Sequence, residues 1–316
     1  MLSRAVGLAL GFAADRILGD PSRFHPVAGF GNVAGGLEQR MYRDDRSAGI
    51  TYTSILVGGT AAAGLVAERL TAQRPVARTL LTAASTWAVL GGRSLSREAE
   101  RVHSWLDDDD LPAAREQLTH LVGRDPSQLD AHEISRATVE SVAENTSDAV
   151  VAPLLAGAVG GVSGLVAYRA ANTLDAMVGH LSPRYRSFGW ASARLDDVLN
   201  LVPARVAAFL AAMLAPMVGG NPRLAFAAWA NDASSHPSPN AGPVEAAFAG
   251  ALGVQLGGTN TYGDRVEHRP TMGDGPGPST QDIDRSVRLA DAVGLAALAV
   301  SVAVALRPRR RPRQRR

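Results

Sequence analysis

Long apolar runs alternate along this chain with clusters of acids, amides and arginines. Five runs approach the roughly 20 residues that a helix needs to cross hydrocarbon. They cover residues 48–67, 75–92, 149–171, 198–220 and 289–306. Glycine and alanine are abundant in them, as in LLAGAVGGVSGLVA at 154–167, and small residues let membrane helices approach closely. A sixth, shorter stretch at 5–14 follows Arg4 as a signal-peptide core would, but GFAADR is a poor cleavage site and polar sequence follows at once. It reads as a short first helix.

The remaining segments are polar. Residues 93–147 carry helix signals: DDDDLPAAREQLTHLVGRD has Asp110 as cap, Pro112 in the first turn and Gly123 as stop. The four-aspartate run is therefore a solvated cap rather than a metal site. DAHEI repeats the logic with Asp130 as cap and Glu133 three residues later. Residues 221–288 are rich in Pro, Gly, Asn and Ser, with one apolar helix candidate at 244–256 and a flexible linker, GDGPGPST, at 273–280. There is no internal repeat and no convincing series of strands. The pattern predicts an all-α, polytopic integral membrane helix bundle with a polar helical insertion. One membrane-embedded domain covers 1–306, with a polar helical region at 93–147, a polar loop region at 221–288 and a basic tail at 307–316.

Arg40, Arg43, Arg46 and the arginine-rich 93–147 region predict one cytoplasmic side. Two spans between them satisfy that rule, but three further spans would leave the basic tail outside. At least one apolar run is therefore expected to be re-entrant or buried in protein.

Composition removes several chemistries. The 316 residues contain no cysteine, which excludes disulfides, thiolate metal sites and a cysteine nucleophile. All 32 Lys+Arg residues are arginine, which excludes a Walker-type phosphate loop and a Schiff-base enzyme. The pI near 9.4 owes much to seven arginines in the last ten residues, and aromatics are only 5%. A basic tail directly after an apolar run reads as a cytoplasmic membrane flank rather than a nucleic-acid surface.

Glu140, Glu144 and Asp148 recur at i, i+4 and i+8, a drifting stripe on one helix face. Like charges at that spacing repel, so a cation must face them: either arginine, with Arg136 one turn earlier, or Mg²⁺, which takes hard oxygen ligands and brings phosphates. Asn145 lies beside them. After the apolar run come Asn172 and Asp175, then Arg194, Asp196, Asp197 and Asn200, with Arg205 inside the next apolar run. An ionisable residue in such a run is a functional candidate, with snorkelling or pairing to Asp as the structural alternative. Asp15, Arg16, Asp20 and His25 stand near the start; His236, Asn240, Glu245, Asn260, Tyr262 and Asp264 stand late. Acids, amides and arginines at the ends of apolar helices predict convergence on one polar mouth. GFGNVA at 29–34 imitates a dinucleotide fingerprint without a preceding strand, and no two histidines share a zinc-like spacing within a helix. What survives suits Mg²⁺-assisted phosphate chemistry on anionic substrates held by arginine.

The blocks DRILGDP…HPV, VGRDPSQLD…EISRATVESVAENTSDAVVAPL, NTLDAMVGH…RYRSFGWASARLDDVLNLVPAR and SPNAGPVEAAFAGALGVQLGG, in order over roughly 10–265, resemble the adenosylcobinamide-phosphate synthase family, CobD or CbiB. The resemblance implies a multipass inner-membrane enzyme of cobalamin biosynthesis with its site facing the cytoplasm. It would join (R)-1-amino-2-propanol, or its O-phosphate, to a propionate carboxylate of adenosylcobyric acid, driven by ATP with Mg²⁺. The implied partners are the corrinoid, the amine and the lipid bilayer, with room for association with other cobalamin-assembly enzymes. On that basis Glu140, Glu144, Asp148 and Asp175 are assigned to the metal. Glu140, Glu144, Asn145, Asn172, Arg205, His236 and Asn240 are assigned to ATP, and Arg194, Asp196 and Asp197 to catalysis, an aspartate taking the proton of the incoming ammonium. Arg194 and Arg205 would hold phosphate or carboxylate. The alternatives are a corrinoid transporter or carrier without chemistry, a phosphotransferase acting on a lipid-like alcohol, and a structural subunit.

Overall fold

A computed structural model describes residues 1–20, 25–123, 125–262 and 265–307, with backbone only over 259–268. Asp264 and the tail from 308 lie outside the described residues, and the side chains of Asn260 and Tyr262 are likewise not described. The chain is a helix bundle: α1 (Leu2–Leu18), α2 (Pro26–Met41), α3 (Arg46–Leu70), α4 (Pro75–Val89), α5 (Gly92–Asp107), α6 (Leu111–Leu118), α7 (Ala131–Thr146), α8 (Ala152–Leu174), α9 (Trp190–Leu214), α10 (Pro222–Asp232), α11 (Ala241–Leu252) and α12 (Thr280–Leu306). Among the described residues, four helical runs are long and apolar enough to cross a membrane. The caps read from sequence are in place: Asp110 accepts from Ala113 N–H at 3.0 Å, and Asp130 and Glu133 form a capping box.

Two elements were not legible. Helix α2 is glycine-rich and begins at His25, whose ring accepts the Val27 N–H at 3.1 Å. Leu256–Tyr262 and Arg265–Met272 form an antiparallel pair inside the predicted polar loop; Gly257, Gly258 and Pro270 within them suppress any strand signal.

The long apolar runs do not all behave alike. Asp148 and Asn172 are 24 residues apart and 3.5 Å from each other, whereas a straight helix would separate them by about 36 Å. The chain reverses at Gly161, at φ 69° and ψ −150°. That backbone region is essentially confined to glycine. The predicted 149–171 span is thus a helical hairpin of two legs. Its tip is held by Arg4, which donates to the Ala158 and Val159 carbonyls at 3.2 and 3.1 Å, and by Glu68, which accepts the Val162 N–H at 3.2 Å.

Contacts define two faces. The tip face carries Met1, Arg4, Arg78, Val304 and Arg307 around one cavity. The other face carries the carboxylates, with Arg16 paired to Asp291. Helices α1 and α4 run in parallel from the tip face, Thr82 and Thr86 sitting against Gly7 and Gly11, where any side chain would collide. Helix α9 starts beside α3, Thr53 and Ser192 sharing a 2.9 Å hydrogen bond, and its continuation ends at Val218, whose carbonyl accepts Arg285 at 3.0 Å near the start of α12. Both ends lie on the carboxylate face, so the predicted 198–220 span lies across that face rather than through the bundle. One run makes two legs and another makes none, so Met1 and Arg307 share the tip face, opposite Arg46 and the 93–147 region, and the expected return of the chain to that side before the basic tail is not met.

Candidate functional site

Pro153 sets the site's first turn. It has no N–H to give the Ala149 carbonyl, which lies four residues earlier, and the helix widens into a π turn over Ser147–Val151. The freed Ala149 carbonyl accepts the Gly91 N–H at 3.2 Å, and the Tyr168 hydroxyl lies 3.2 Å from the Asp148 carbonyl. A second π turn, Asp175–Gly179, ends the returning leg. Such widened turns cluster at functional sites. Each starts with or contains an acid, and the hairpin brings the two together.

A cavity of about 80 Å³ is lined by Glu144, Asp148, Asp175, Asp196, Asp197 and Asn240, among others. Asp196 is buried, and both its oxygens accept amides: Asn172 at 3.3 Å and Asn200 at 2.9 Å. Tyr168 donates to the Asn200 oxygen at 2.8 Å, which orients that amide toward Asp196. Asp197 meets Arg194 at 3.2 Å, and its carbonyl accepts Asn240 at 2.8 Å. Asn240 in turn accepts from Arg205 at 3.0 Å. Gly179 lies directly against the Asp175 carboxylate, so a side chain there would occupy the same space.

Glu144 also lines a larger cavity of about 340 Å³, together with Glu140, Glu245 and Arg269. The stripe read from sequence is therefore divided. Glu144 and Asp148 reach the small cavity. Glu140 does not: it accepts the Gly257 N–H at 2.8 Å, and Asp196 stands among the acids in its place. Asn145 turns back on its own helix, donating to the Ser141 carbonyl at 2.9 Å. Arg194 is mostly exposed beside Asp197, and Arg205 is exposed and held by Asn240, with its second contact the Leu201 carbonyl at 3.2 Å. His236 is buried beside Glu245 at 3.8 Å, and its Nδ1 accepts the Ser238 N–H at 3.0 Å. Burial holds its pKa below the ordinary imidazole value. Tyr168 and Arg269 escaped the sequence reading, because a tyrosine in an apolar run and an arginine in a polar loop carry no local signal.

Arrays of this kind suit a hard cation. Among the described residues no three acids or histidines stand close enough to enclose an ion alone. Mg²⁺, however, usually keeps several waters and takes one or two carboxylates beside substrate phosphates. A small cavity walled by carboxylates that repel one another fits an ion held in that way.

The family model described as CobD/Cbib protein matches residues 8–290. A cobalamin biosynthesis protein CobD of Mycobacterium tuberculosis is 51% identical over 309 residues, 97% of this chain and 98% of the relative. Proteins of the same name from Geobacter metallireducens and Rhodobacter capsulatus are 45% and 42% identical over 265 and 270 residues, covering 82% and 84% of this chain and 83% and 84% of those relatives. No solved structure matches the chain.

Proposed function

The chain belongs to the CobD/Cbib protein family, and from that premise we propose a role in cobalamin biosynthesis as an ATP-dependent amide ligase. It joins (R)-1-amino-2-propanol, or its O-phosphate, to a propionate carboxylate of adenosylcobyric acid. The observation that carries the reading is the convergence of Glu144, Asp148, Asp175 and Asp196 on one small cavity from separate chain segments.

A carboxylate and an amine do not condense readily in water; phosphorylation of the carboxylate supplies a leaving group. When bound, Mg²⁺ supplies charge neutralisation at the transferred phosphoryl group. One or two of the carboxylates of Asp148, Asp175, Asp196 and Glu144 would hold it, with waters and substrate phosphates completing its shell. Asp196, fixed by two amides, suits a ligand. Asp197, tied through one oxygen to exposed Arg194, suits the base that takes the proton of the ammonium. The larger cavity carries both carboxylates and Arg269, which fits a zwitterion such as aminopropanol phosphate. The carboxylate face looks into the cytoplasm of a cell-membrane protein, where ATP is available.

The test is to incubate detergent-purified protein with adenosylcobyric acid, Mg²⁺–ATP and aminopropanol phosphate, omitting each in turn, and to weigh the corrinoid by mass spectrometry. An amide product that needs all of them supports the ligase. An unchanged corrinoid that still binds folded protein makes this a carrier.

A further inference from the structure

The tip face, opposite the carboxylates, carries a second built feature. Its cavity has a volume of about 450 Å³ and is lined by Arg4, Arg78 and Arg307 with Val159 and Val304. Arg4 is committed to the hairpin carbonyls and faces Glu68 at 3.5 Å. The guanidinium groups of Arg78 and Arg307 make no ion pair or side-chain hydrogen bond among the described residues. Among the described residues, three guanidinium groups therefore face one carboxylate. In the sequence, six further arginines follow Arg307 within nine residues.

Apolar side chains stand around this charge. Ala158, Val159, Val304 and Ala305 line the cavity, Val159 is 64% exposed, and Leu2 and Leu306, next in sequence to the lining residues Met1 and Arg307, are 69 and 44% exposed. A site for a water-soluble anion has no use for such a collar. An amphiphile does, because its phosphate meets the arginines while its chain covers the apolar rim. We propose that this cavity binds the anionic headgroup of a bilayer phospholipid. The phosphodiester lies between Arg78 and Arg307, and an acyl chain follows Val159 and Val304. The lipid clamps the hairpin tip, the start of α4 and the end of α12 together. The site is remote from the carboxylates and is independent of the ligase reading.

The full chain, delipidated in mild detergent, is offered equimolar phosphatidylglycerol and phosphatidylcholine and examined by native mass spectrometry. Phosphatidylglycerol is retained preferentially, and the preference weakens with salt. Each arginine at such a surface contributes roughly fivefold, so Arg78→Gln with Arg307→Gln lowers the preference about 25-fold. Arg101→Gln, exposed on α5, leaves it unchanged. Equal retention of the two lipids by wild type overturns the proposal whether or not the double variant folds, which circular dichroism reports. An unchanged preference in a folded double variant also overturns it. So does displacement of phosphatidylglycerol by low-millimolar inorganic phosphate, which would mark a site for a soluble anion.

Discussion

Asn172 donates its amide to both Asp148, at 3.5 Å, and Asp196, at 3.3 Å, across 24 residues in each direction. One side chain on the returning leg of the hairpin therefore ties the outgoing leg to α9. The carboxylates meet because the chain reverses at Gly161, and they stay apart by fixed amounts because amides hold them.

Asp196→Asn should abolish this arrangement, since an amide nitrogen would face the amide groups of Asn172 and Asn200. Product formation should fall by about 100-fold or more in a variant that still folds, as when a preorganised charge is removed from an active site, while the lost hydrogen bonds lower the thermal midpoint. Glu140→Gln should cost less than about tenfold, because a glutamine oxygen still accepts the Gly257 N–H and the small cavity is untouched. Initial rates on the two purified variants decide the matter. Equal losses would return Glu140 to the reacting centre.

Gly161→Ala should destabilise the bundle by about 1–3 kcal/mol. The residue sits at φ 69°, and an added Cβ would run into Glu68 and Arg4. Thermal unfolding in detergent reads the loss, and an unchanged midpoint would mean that the reversal is made elsewhere.

Gly179→Ala should act on turnover rather than on folding. Its Cβ would displace the Asp175 carboxylate, so the rate should drop about tenfold or more, the effect of a small misplacement at a reacting centre. Gly36→Ala, with nothing within 4 Å of the new carbon, serves as control. Similar kinetics for both variants would remove Asp175 from the site.

Stability should depend on the ionisation of His236. Burial lowers its pKa, while Glu140 opposes that shift and Arg269 adds to it; Glu245 stands beside it. The unfolded chain therefore binds the proton more readily than the folded one. Stability should fall as pH drops below the ordinary imidazole value of about 6.5, and further until the lower folded value is passed. His236→Asn should flatten this part of the curve. Midpoints measured between pH 7.5 and 5 give the answer, and parallel curves for the two proteins would show that another group is responsible.

Much of this molecule was determined by local sequence. Apolar runs of helical length and the caps at Asp110 and Asp130 depend on neighbours within a turn or two, and so does the polar character of 93–147. These features appeared where periodicity and capping chemistry put them. The helix predicted at 244–256 forms as Ala241–Leu252, ending at Gly253 in the left-handed conformation. The acids and amides at the helix ends were likewise visible, because burying charge in apolar sequence is costly and marks itself. Tertiary structure decided which of them meet. A single backbone angle at Gly161 turns one apparent span into two legs, and hydrophobic periodicity does not report that angle. Long-range contacts at Thr53 and Val218 lay α9 across the bundle, although its length and apolarity would equally serve a crossing. Glu140 and Asp148 share a helical stripe in sequence, yet the widened turn before Pro153 and the strand at Gly257 send their carboxylates to different cavities. Hydrogen bonds between residues far apart in the chain make these choices, and the residues that form them are adjacent only once the chain has folded.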